Sequence, residues 1–410
     1  MKNFLLHVFK DPMIVVFVVV SIVFGIPALA ASSQINKNAV VVGVGIDLSE
    51  EGEKKYDVSF LTFAPVPEQN FTETYKIVAA EGDSIAEASN FAGLNLGRTL
   101  RFSHMKTIVL SEDVVMEDIP KLLDYLARGN ELSGSTKIIA TKSKAKEFLS
   151  VAQKLDSESS VKISELVSNN AKEASAADAT IETFFKGYLG PTKMSIIPLF
   201  DLEQDEDEGM SVATMVSDSE ESKSGEKKKD KKFIVNSGDA IVFKDGKMLS
   251  TIDSEQVQNI NWIKGDFARG FVEIKDFNSK TFDGADLTFE IFGSGMRRKI
   301  VFENGTPVVY LNPRVNIVLA EVEKDGMLTR NVEFFVLADE DIEILNQHIR
   351  QFFADGINWM RENKADLVDF YTLLWNANKG EFQKFLRNLE DESDYLSHIV
   401  FKVGVKARTR

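Results

Sequence analysis

The chain has 410 residues, which indicates two or three domains, and 44% of them are hydrophobic, enough to form buried cores. The net charge of -15 argues against a general nucleic-acid binder, which needs a positive field facing the phosphates. Cysteine is absent, which excludes disulfides, thiol nucleophiles, iron–sulfur clusters and cysteine zinc sites. The four histidines, at positions 7, 104, 348 and 398, lack the spacing of a histidine metal site.

The N-terminus has the composition of a membrane-directed segment. Lys2 and Lys10 precede an apolar run over residues 13–26, and Ala28-Leu29-Ala30 fits the small-residue site that signal peptidase cleaves. Residues 1–31 are therefore a cleaved signal peptide or an uncleaved transmembrane anchor, since residues 13–31 measure about 28 Å as a helix. Both interpretations export the rest of the chain, because the flanking lysines stay in the cytoplasm.

Strands and helices alternate over residues 36–200, which predicts an N-terminal α/β domain. Apolar runs and apolar–polar alternation predict strands, whereas apolar residues at 3.6-residue spacing predict helices. The predicted strands are 39–47, 56–63, 72–78, 107–110 and 136–140, and the predicted helices include 85–94, 116–127 and 145–155. Asp83 or Ser84 is expected to cap the first helix, which Gly97 is expected to end.

Residues 201–232 differ from the segments on either side. Residues 201–208 contain six acids, and residues 217–232 are Ser, Glu, Lys and Asp with a lysine cluster at their end. Such a composition buries too little apolar area to offset the entropy of ordering, so we interpret 201–232 as a disordered linker between domains. The alternative is that its lysines contact anionic lipid or another protein.

Two further α/β domains are predicted, at residues 233–305 and 306–410. In the middle domain, strands 240–243 and 247–249 flank a hairpin turn at Asp245-Gly246, and 251–262 is predicted to be helical. In the C-terminal domain, strands 308–322 and 331–337 precede a long helix at 339–362, helices at 366–376 and 382–389, and a closing strand at 399–405. The fold class is thus α/β (α+β) with three mixed domains.

Three features invite chemical interpretations. Gly43-x-Gly45 follows apolar residues, but Leu48 stands where a dinucleotide fingerprint needs glycine, so a tight strand end is the simpler account. Asp366 and Asp369 are three residues apart on a predicted helix and suit a cation, although solvated surface acids are commoner. His104 lies in a polar cluster, where a buried, hydrogen-bonded histidine is a more frequent arrangement than a catalytic one.

Four groups of residues occur in a distinctive order. They are VVVGVGID at 40–47, GR followed by SHMKTIVLSE between 97 and 112, GDAIVFK with NWIKG between 238 and 265, and KADLVDF at 364–370 before the closing strand. In this order and spacing they resemble the Ger(x)C family of spore germination proteins, the C subunits of nutrient germinant receptors. The resemblance covers nearly the whole exported chain.

The resemblance implies three α/β domains held at the spore inner membrane, on its extracytoplasmic face. Members of the family usually carry a lipobox cysteine after the signal, which is acylated. The corresponding stretch here is Ala28-Leu29-Ala30-Ala31-Ser32, without a thiol to acylate. Without acylation, the attachment to the membrane is by the uncleaved helix at 13–31 or by a partner subunit, or the chain has no anchor.

The function that the resemblance implies is a non-enzymatic subunit that docks to membrane-embedded germinant receptor subunits, without a cofactor, a metal or nucleic acid. Arg98, Arg101, His104 and Trp262 are the candidates for interdomain or partner contacts. The alternative is an exported protein that binds a small ligand in a site between its domains. A hydrolase that uses the paired acids Asp366 and Asp369 is the weakest hypothesis.

Overall fold

The computed structural model describes residues 37–50, 53–64, 74–117, 119–128, 132–155, 176–204, 216–217, 232–265, 269–324, 326–329 and 337–409, with the single positions 13, 20, 165, 168 and 169. Apart from positions 13 and 20, the predicted signal peptide or anchor at 1–31 lies outside these residues, as does most of the predicted linker at 201–232. No helix formed by the described residues is both long enough and apolar enough to cross a membrane.

The first sheet is formed by the first ten strands. They are β1 (Asn38–Leu48), β2 (Tyr56–Ala64), β3 (Thr74–Gly82), β4 (Thr99–Arg101), β5 (Thr107–Ser111), β6 (Lys137–Thr141), β7 (Met194–Gln204), β8 (Val216–Ser217), β9 (Lys232–Lys244) and β10 (Lys247–Ile252). Their order is β10-β9-β7-β6-β5-β1-β2-β3, with β4 beside β1 and β8 beside β9. The central strands β1, β5, β6 and β7 are parallel, whereas β2, β3, β9 and β10 pair antiparallel.

Helices cover both faces of the first sheet. They are α1 (Ile85–Leu96), α2 (Glu112–Val115), α3 (Ile119–Arg128), α4 (Ala145–Leu155), α5 (Ile181–Leu189) and α6 (Ser254–Lys264). On one face Ile85, Leu123 and Phe184 of α1, α3 and α5 pack against β1, β5 and β6. On the other face α4 packs Phe148 and Leu149 against the sheet, as α6 packs its own apolar side chains against β9. The sheet is buried on both sides, as parallel sheets require.

The second sheet has six strands and is built on one long hairpin. Its strands are β11 (Gly270–Asn278), β12 (Asp283–Glu303), β13 (Thr306–Lys324), β14 (Met327–Thr329), β15 (Val400–Val403) and β16 (Lys406–Thr409). Strands β12 and β13 pair antiparallel over their whole length, whereas β15 and β16 pair parallel with the other edge of β13. The hairpin turn is Asn304-Gly305, and both residues have positive φ, as this tight turn requires.

Three helices and a 3-10 helix follow the long hairpin in the chain. They are α7 (Asp339–Glu362), α8 (Phe370–Ala377), α9 (Lys379–Arg387) and the 3-10 helix Glu392–His398. Leu345, Ile349 and Phe353 of α7 join the core that the inward side chains of β12 and β13 form. Helix α7 also packs on α6, which lies against the first sheet. Helix α6 therefore connects the two sheets.

The structure confirms the predicted mixed α/β class and differs from the sequence prediction in where the segments belong. Residues 233–305 contribute to both sheets, because β9 and β10 extend the first sheet whereas β11 and β12 belong to the second. The predicted boundary at 305 falls in the turn of the β12–β13 hairpin. Residues 201–204 of the predicted linker continue β7 and pair with β9, because Leu202 still packs on the core. The division into three domains remains a prediction.

The glycines of the first strand have a packing role. The expectation of a tight strand end is wrong, because β1 continues through Gly43 and Gly45 to Leu48. A Cβ atom on Gly45 would lie 2.9 Å from Leu149 Cδ1 and 3.1 Å from the carbonyl oxygen of Ala145, both on α4. Glycine is needed at position 45 because the helix approaches the strand closely.

Candidate functional site

A surface groove of about 660 Å³ lies where α1 ends beside the start of β1. Its lining combines cationic and apolar side chains; they include Lys37, Leu94, Arg98, Phe102 and Tyr125. We call it the anchor-side groove, because Lys37 is the first residue of the continuous described chain after the predicted signal or anchor. Two of the four candidate contact residues, Arg98 and Arg101, lie in or beside this groove.

Local sequence signals position the groove. Ser84 caps α1, since its side chain accepts a hydrogen bond from the backbone N–H of Glu87 at 3.2 Å. Gly97 ends the helix in the left-handed conformation, with φ of 62°, as predicted. The chain then turns into β4, which pairs parallel with the first residues of β1. Arg98 is thereby placed next to the N-terminal end of the first sheet.

The polar residues of this segment differ in exposure. Arg98 is half-buried in the groove, whereas Arg101 and His104 are exposed. The expectation of a buried, hydrogen-bonded His104 is wrong, because the turn over 103–104 points away from the sheet while Met105 occupies the core. The exposed positions of Arg101 and His104 are compatible with contacts to another molecule.

The apolar part of the anchor-side groove is also accessible. Tyr125 is 43% exposed, and its ring meets that of Phe102 edge to face with the centroids 6.4 Å apart. Leu94 is 68% exposed near the end of α1. Aromatic and arginine side chains are enriched in protein interfaces, and Leu94 adds exposed apolar area beside them.

Trp262, the fourth candidate residue, lies elsewhere and is buried. Its exposed fraction is 1%, and its ring centroid is 6.2 Å from that of Phe352 and 6.3 Å from that of Phe353. Trp262 therefore packs α6 against α7 inside the chain, and a partner subunit does not reach it in this conformation.

A second cavity, of about 760 Å³, lies between the first sheet and the segment before α8. Its polar lining includes Asp178, Lys186, Lys264 and Asp369. We call it the inter-sheet cleft. The sequence did not indicate it, because its walls come from α5, α6 and residues 366–372, which are far apart in the chain.

The acidic residues at the inter-sheet cleft, Asp366 and Asp369, both make hydrogen bonds that stabilise the local structure. Helix α8 begins only at Phe370, and Asp369 is its N-cap with φ of 61°, so the two acids do not share a helix face as expected. Asp366 is buried; its carboxylate accepts hydrogen bonds from the Tyr395 hydroxyl and from the backbone N–H of Tyr371 at 2.9 Å. Burial raises the pKa of Asp366 in spite of these bonds. Within the described residues no group of three metal-ligating side chains occurs.

Comparison with known families identifies the class of this chain. Residues 31–202 match the family described as "Spore germination protein N-terminal domain". Residues 238–410 match the family described as "Spore germination B3/ GerAC like, C-terminal". Together the two matches cover more than half of the chain, so it belongs to the GerAC-like family of spore germination proteins. The resemblance inferred from the four sequence motifs is confirmed.

Two curated proteins of Bacillus subtilis (strain 168) are similar over most of the chain. Spore germination protein KC is 22% identical over 337 residues, which are 81% of this chain and 77% of that protein. Spore germination protein B3 is 19% identical over 373 residues, which are 88% of this chain and 89% of that protein. A solved structure, titled "Crystal Structure of the GerBC protein", matches with a TM-score of 0.49 and 15% identity over 89% of this chain and 97% of that one.

Proposed function

We propose that the chain is a non-enzymatic, extracytoplasmic subunit of a germinant-receptor-like membrane complex. The observation that carries the proposal is the match of both halves of the chain to one family of spore germination proteins. In this account the protein acts by docking to membrane-embedded partner subunits, and it helps to couple nutrient binding to germination.

The position of the anchor-side groove supports docking next to a membrane. Five residues, 32–36, separate the proposed anchor helix at 13–31 from Lys37, and a fully extended chain of five residues spans at most about 16–18 Å. The groove is therefore held within reach of the bilayer surface if the apolar segment is retained. A partner subunit embedded in the same bilayer would meet this end of the first sheet.

The chemistry of the groove supports a protein partner. Leu94 and Tyr125 provide exposed apolar area, whereas Arg98 and Arg101 provide donors for carboxylates or carbonyl oxygens. Interfaces commonly combine such a central apolar anchor with a polar rim. Arg98, Arg101 and His104 are proposed as partner contacts on this basis, and Trp262 is proposed to hold α6 and α7 together.

The absence of cysteine bears on how the subunit is attached. Thiol acylation of this sequence is impossible, so we propose that the apolar helix at 13–31 is retained as the anchor. The intact mass of the protein from spore membranes separates the two interpretations, since cleavage before Ala31 removes residues 1–30.

The proposal is tested by affinity purification of the tagged chain from spore membranes of the organism that encodes it. We expect polytopic germinant receptor subunits to co-purify, and we expect spores that lack the chain to lose the response to one class of nutrient. Recovery of the chain in the soluble fraction, without membrane subunits, would contradict the proposal.

A second candidate function, an exported small-ligand-binding protein, is favoured by the inter-sheet cleft. Its volume of about 760 Å³ is typical of ligand sites, and its lining combines residues of the first sheet, α5 and α6 with residues 366–372. Thermal unfolding in the presence of nutrient amino acids and sugars tests it, because a ligand that binds the native state raises the midpoint. Unchanged midpoints across such a panel would argue against this alternative.

A further inference from the structure

One face of the second sheet is covered by α7–α9 and the opposite face is exposed. Along β13 the side chains alternate between the two faces: Leu311, Val315 and Ile317 are buried in the core. Asn312, Arg314 and Asn316, the residues between them, are exposed. We call the exposed side the outer face.

Six cationic side chains from the four strands β12, β13, β15 and β16 lie on the outer face; they are Arg297, Lys299, Arg314, Lys402, Lys406 and Arg408. The register places them there, because paired residues in adjacent strands share a face. Lys299 and Lys402 flank Tyr310, and Lys406 pairs with Arg314. With strands about 4.8 Å apart and about 3.3 Å per residue, the six charges lie within roughly 10 by 20 Å.

Acidic groups lie at the two ends of this cluster and not within it. Among the described residues the ion pair that reaches the cluster joins Lys402 to Glu303, with 4.0 Å between Nζ and Oε2. Glu303 lies next to the hairpin turn, and beyond the other end of the cluster the same face carries Glu273, Glu290, Glu321 and Glu323. This positive face belongs to a chain whose net charge is -15. A positively charged face on a protein whose net charge is negative attracts anions locally.

We propose that the outer face binds the surface of an anionic lipid bilayer. Charge complementarity carries the proposal: all six cations point from one sheet face, which matches a planar array of phosphate headgroups. Val318, which is 38% exposed and lies opposite Glu290, is on the same face past the cationic cluster, so the cationic cluster itself is the part that faces the lipid headgroups. The proposal goes beyond the docking to partner subunits and does not depend on it.

The absence of cysteine makes a direct test possible. Asn316→Cys introduces a unique thiol on the outer face without changing the charge. The full chain is labelled there with an environment-sensitive fluorophore and reconstituted into vesicles, which are isolated by flotation. We expect a blue shift of the emission in vesicles of phosphatidylcholine with one-third phosphatidylglycerol, reversed by high salt, and no shift in phosphatidylcholine alone.

Two triple variants, each of which removes three positive charges, show which surface of the protein binds the bilayer. Lys402→Gln/Lys406→Gln/Arg408→Gln is expected to lower the bilayer-contacting fraction at least about tenfold, because each cation near an anionic surface contributes to binding. Lys76→Gln/Lys146→Gln/Lys247→Gln, which removes exposed lysines of β3, α4 and β10, is expected to leave the bilayer-contacting fraction unchanged. Equal losses in both variants would overturn the proposal.

Two further outcomes would also overturn it. If the emission in anionic and zwitterionic vesicles is the same, the outer face does not bind anionic lipid. If the blue shift already occurs in nonionic detergent, an acidic protein surface covers the face instead, such as a second copy or the acidic residues 201–208 of the chain itself.

Discussion

The backbone N–H of Thr99 donates a hydrogen bond to the carbonyl oxygen of Lys37 at 2.9 Å. This bond joins the segment that carries Arg98, Arg101 and His104 to the first residues of β1. A segment that carries one of the four family-like motifs is thus held beside Lys37, which follows the predicted signal or anchor at 1–31 in the sequence. The anchor-side groove is the consequence of this pairing, and it is the surface on which the proposed docking depends.

Introducing charge into the anchor-side groove is expected to weaken docking without unfolding the protein. Leu94→Glu places a carboxylate at a position that is 68% exposed, so the fold tolerates it while an apolar contact with a partner does not. We expect at least a tenfold loss of co-purifying membrane subunits, about 1.4 kcal/mol or more. Leu189→Glu is the control, since Leu189 is 76% exposed on α5. Equal losses of co-purifying membrane subunits from the two variants would show that the groove is not the docking surface.

Two neighbouring glycines of β1 are expected to differ in their tolerance of alanine. A Cβ atom on Gly45 would lie 2.9 Å from Leu149 Cδ1 and 3.1 Å from a backbone oxygen, whereas the nearest atom to a Cβ on Gly43 is 3.5 Å away. Gly45→Ala should therefore lower the free energy of unfolding by about 1–3 kcal/mol, and Gly43→Ala should change it little. Urea unfolding of both variants measures this, and equal effects would contradict the packing argument.

The connection between the two sheets depends on Arg298. Its guanidinium donates to the carbonyl oxygen of Ile263 at 2.9 Å and to that of Lys264, so a strand of the second sheet caps the C-terminus of α6. Arg298→Met keeps the length of the side chain and removes the donors. We expect a loss of about 1–3 kcal/mol in the free energy of unfolding. Faster amide exchange in α6 is the specific readout, and unchanged exchange there would refute the capping role.

The buried carboxyl of Asp366 predicts a pH dependence of stability. Burial raises its pKa in the native state above the ordinary value of 3.8, so the native protein holds this proton more tightly than the unfolded chain does. The contribution of Asp366 to stability is therefore greatest below pH 3.8 and is lost as the pH rises through the raised native pKa. Asp366→Asn cannot ionise and lacks this dependence.

The measurement is the difference in unfolding free energy between the wild type and Asp366→Asn from pH 3.5 to pH 8, at about half-unit intervals. We expect the wild type to lose stability relative to the variant as the pH increases. A difference that stays constant, or that moves in favour of the wild type, would show that the hydrogen bonds from Tyr395 and Tyr371 outweigh the cost of burial.

The sequence predicted the elements whose signals are local. The cap at Ser84, the end of α1 at Gly97 and the long helix Asp339–Glu362 follow from capping residues and apolar spacing, and the structure has all three. The sequence did not predict that the hairpin of β9 and β10 joins the first sheet, because strand pairing between distant segments leaves little local trace.

The candidate site was predictable only in part, because some of its residues belong to a local motif whereas others are brought together by the fold. The family resemblance of their segment predicts Arg98 and Arg101 as contact residues; in the structure Arg98 lines the accessible groove, and Arg101 follows its lining residues Thr99 and Leu100 in β4. Trp262 belongs to a motif of the same kind but is buried, since a motif can be shared for packing as well as for binding. The sequence did not predict the cationic outer face, because its six cations come from strands whose register is visible only in the structure.

A site-specific crosslink is the direct test of whether the anchor-side groove contacts a membrane-embedded receptor subunit. Leu94→Cys and Leu189→Cys each introduce one thiol into a chain that has none, and each carries a photoactivated crosslinker in spore membranes. We expect a covalent product with a polytopic germinant receptor subunit from position 94 and not from position 189. The same product from both positions, or none from position 94, would contradict the proposed contact.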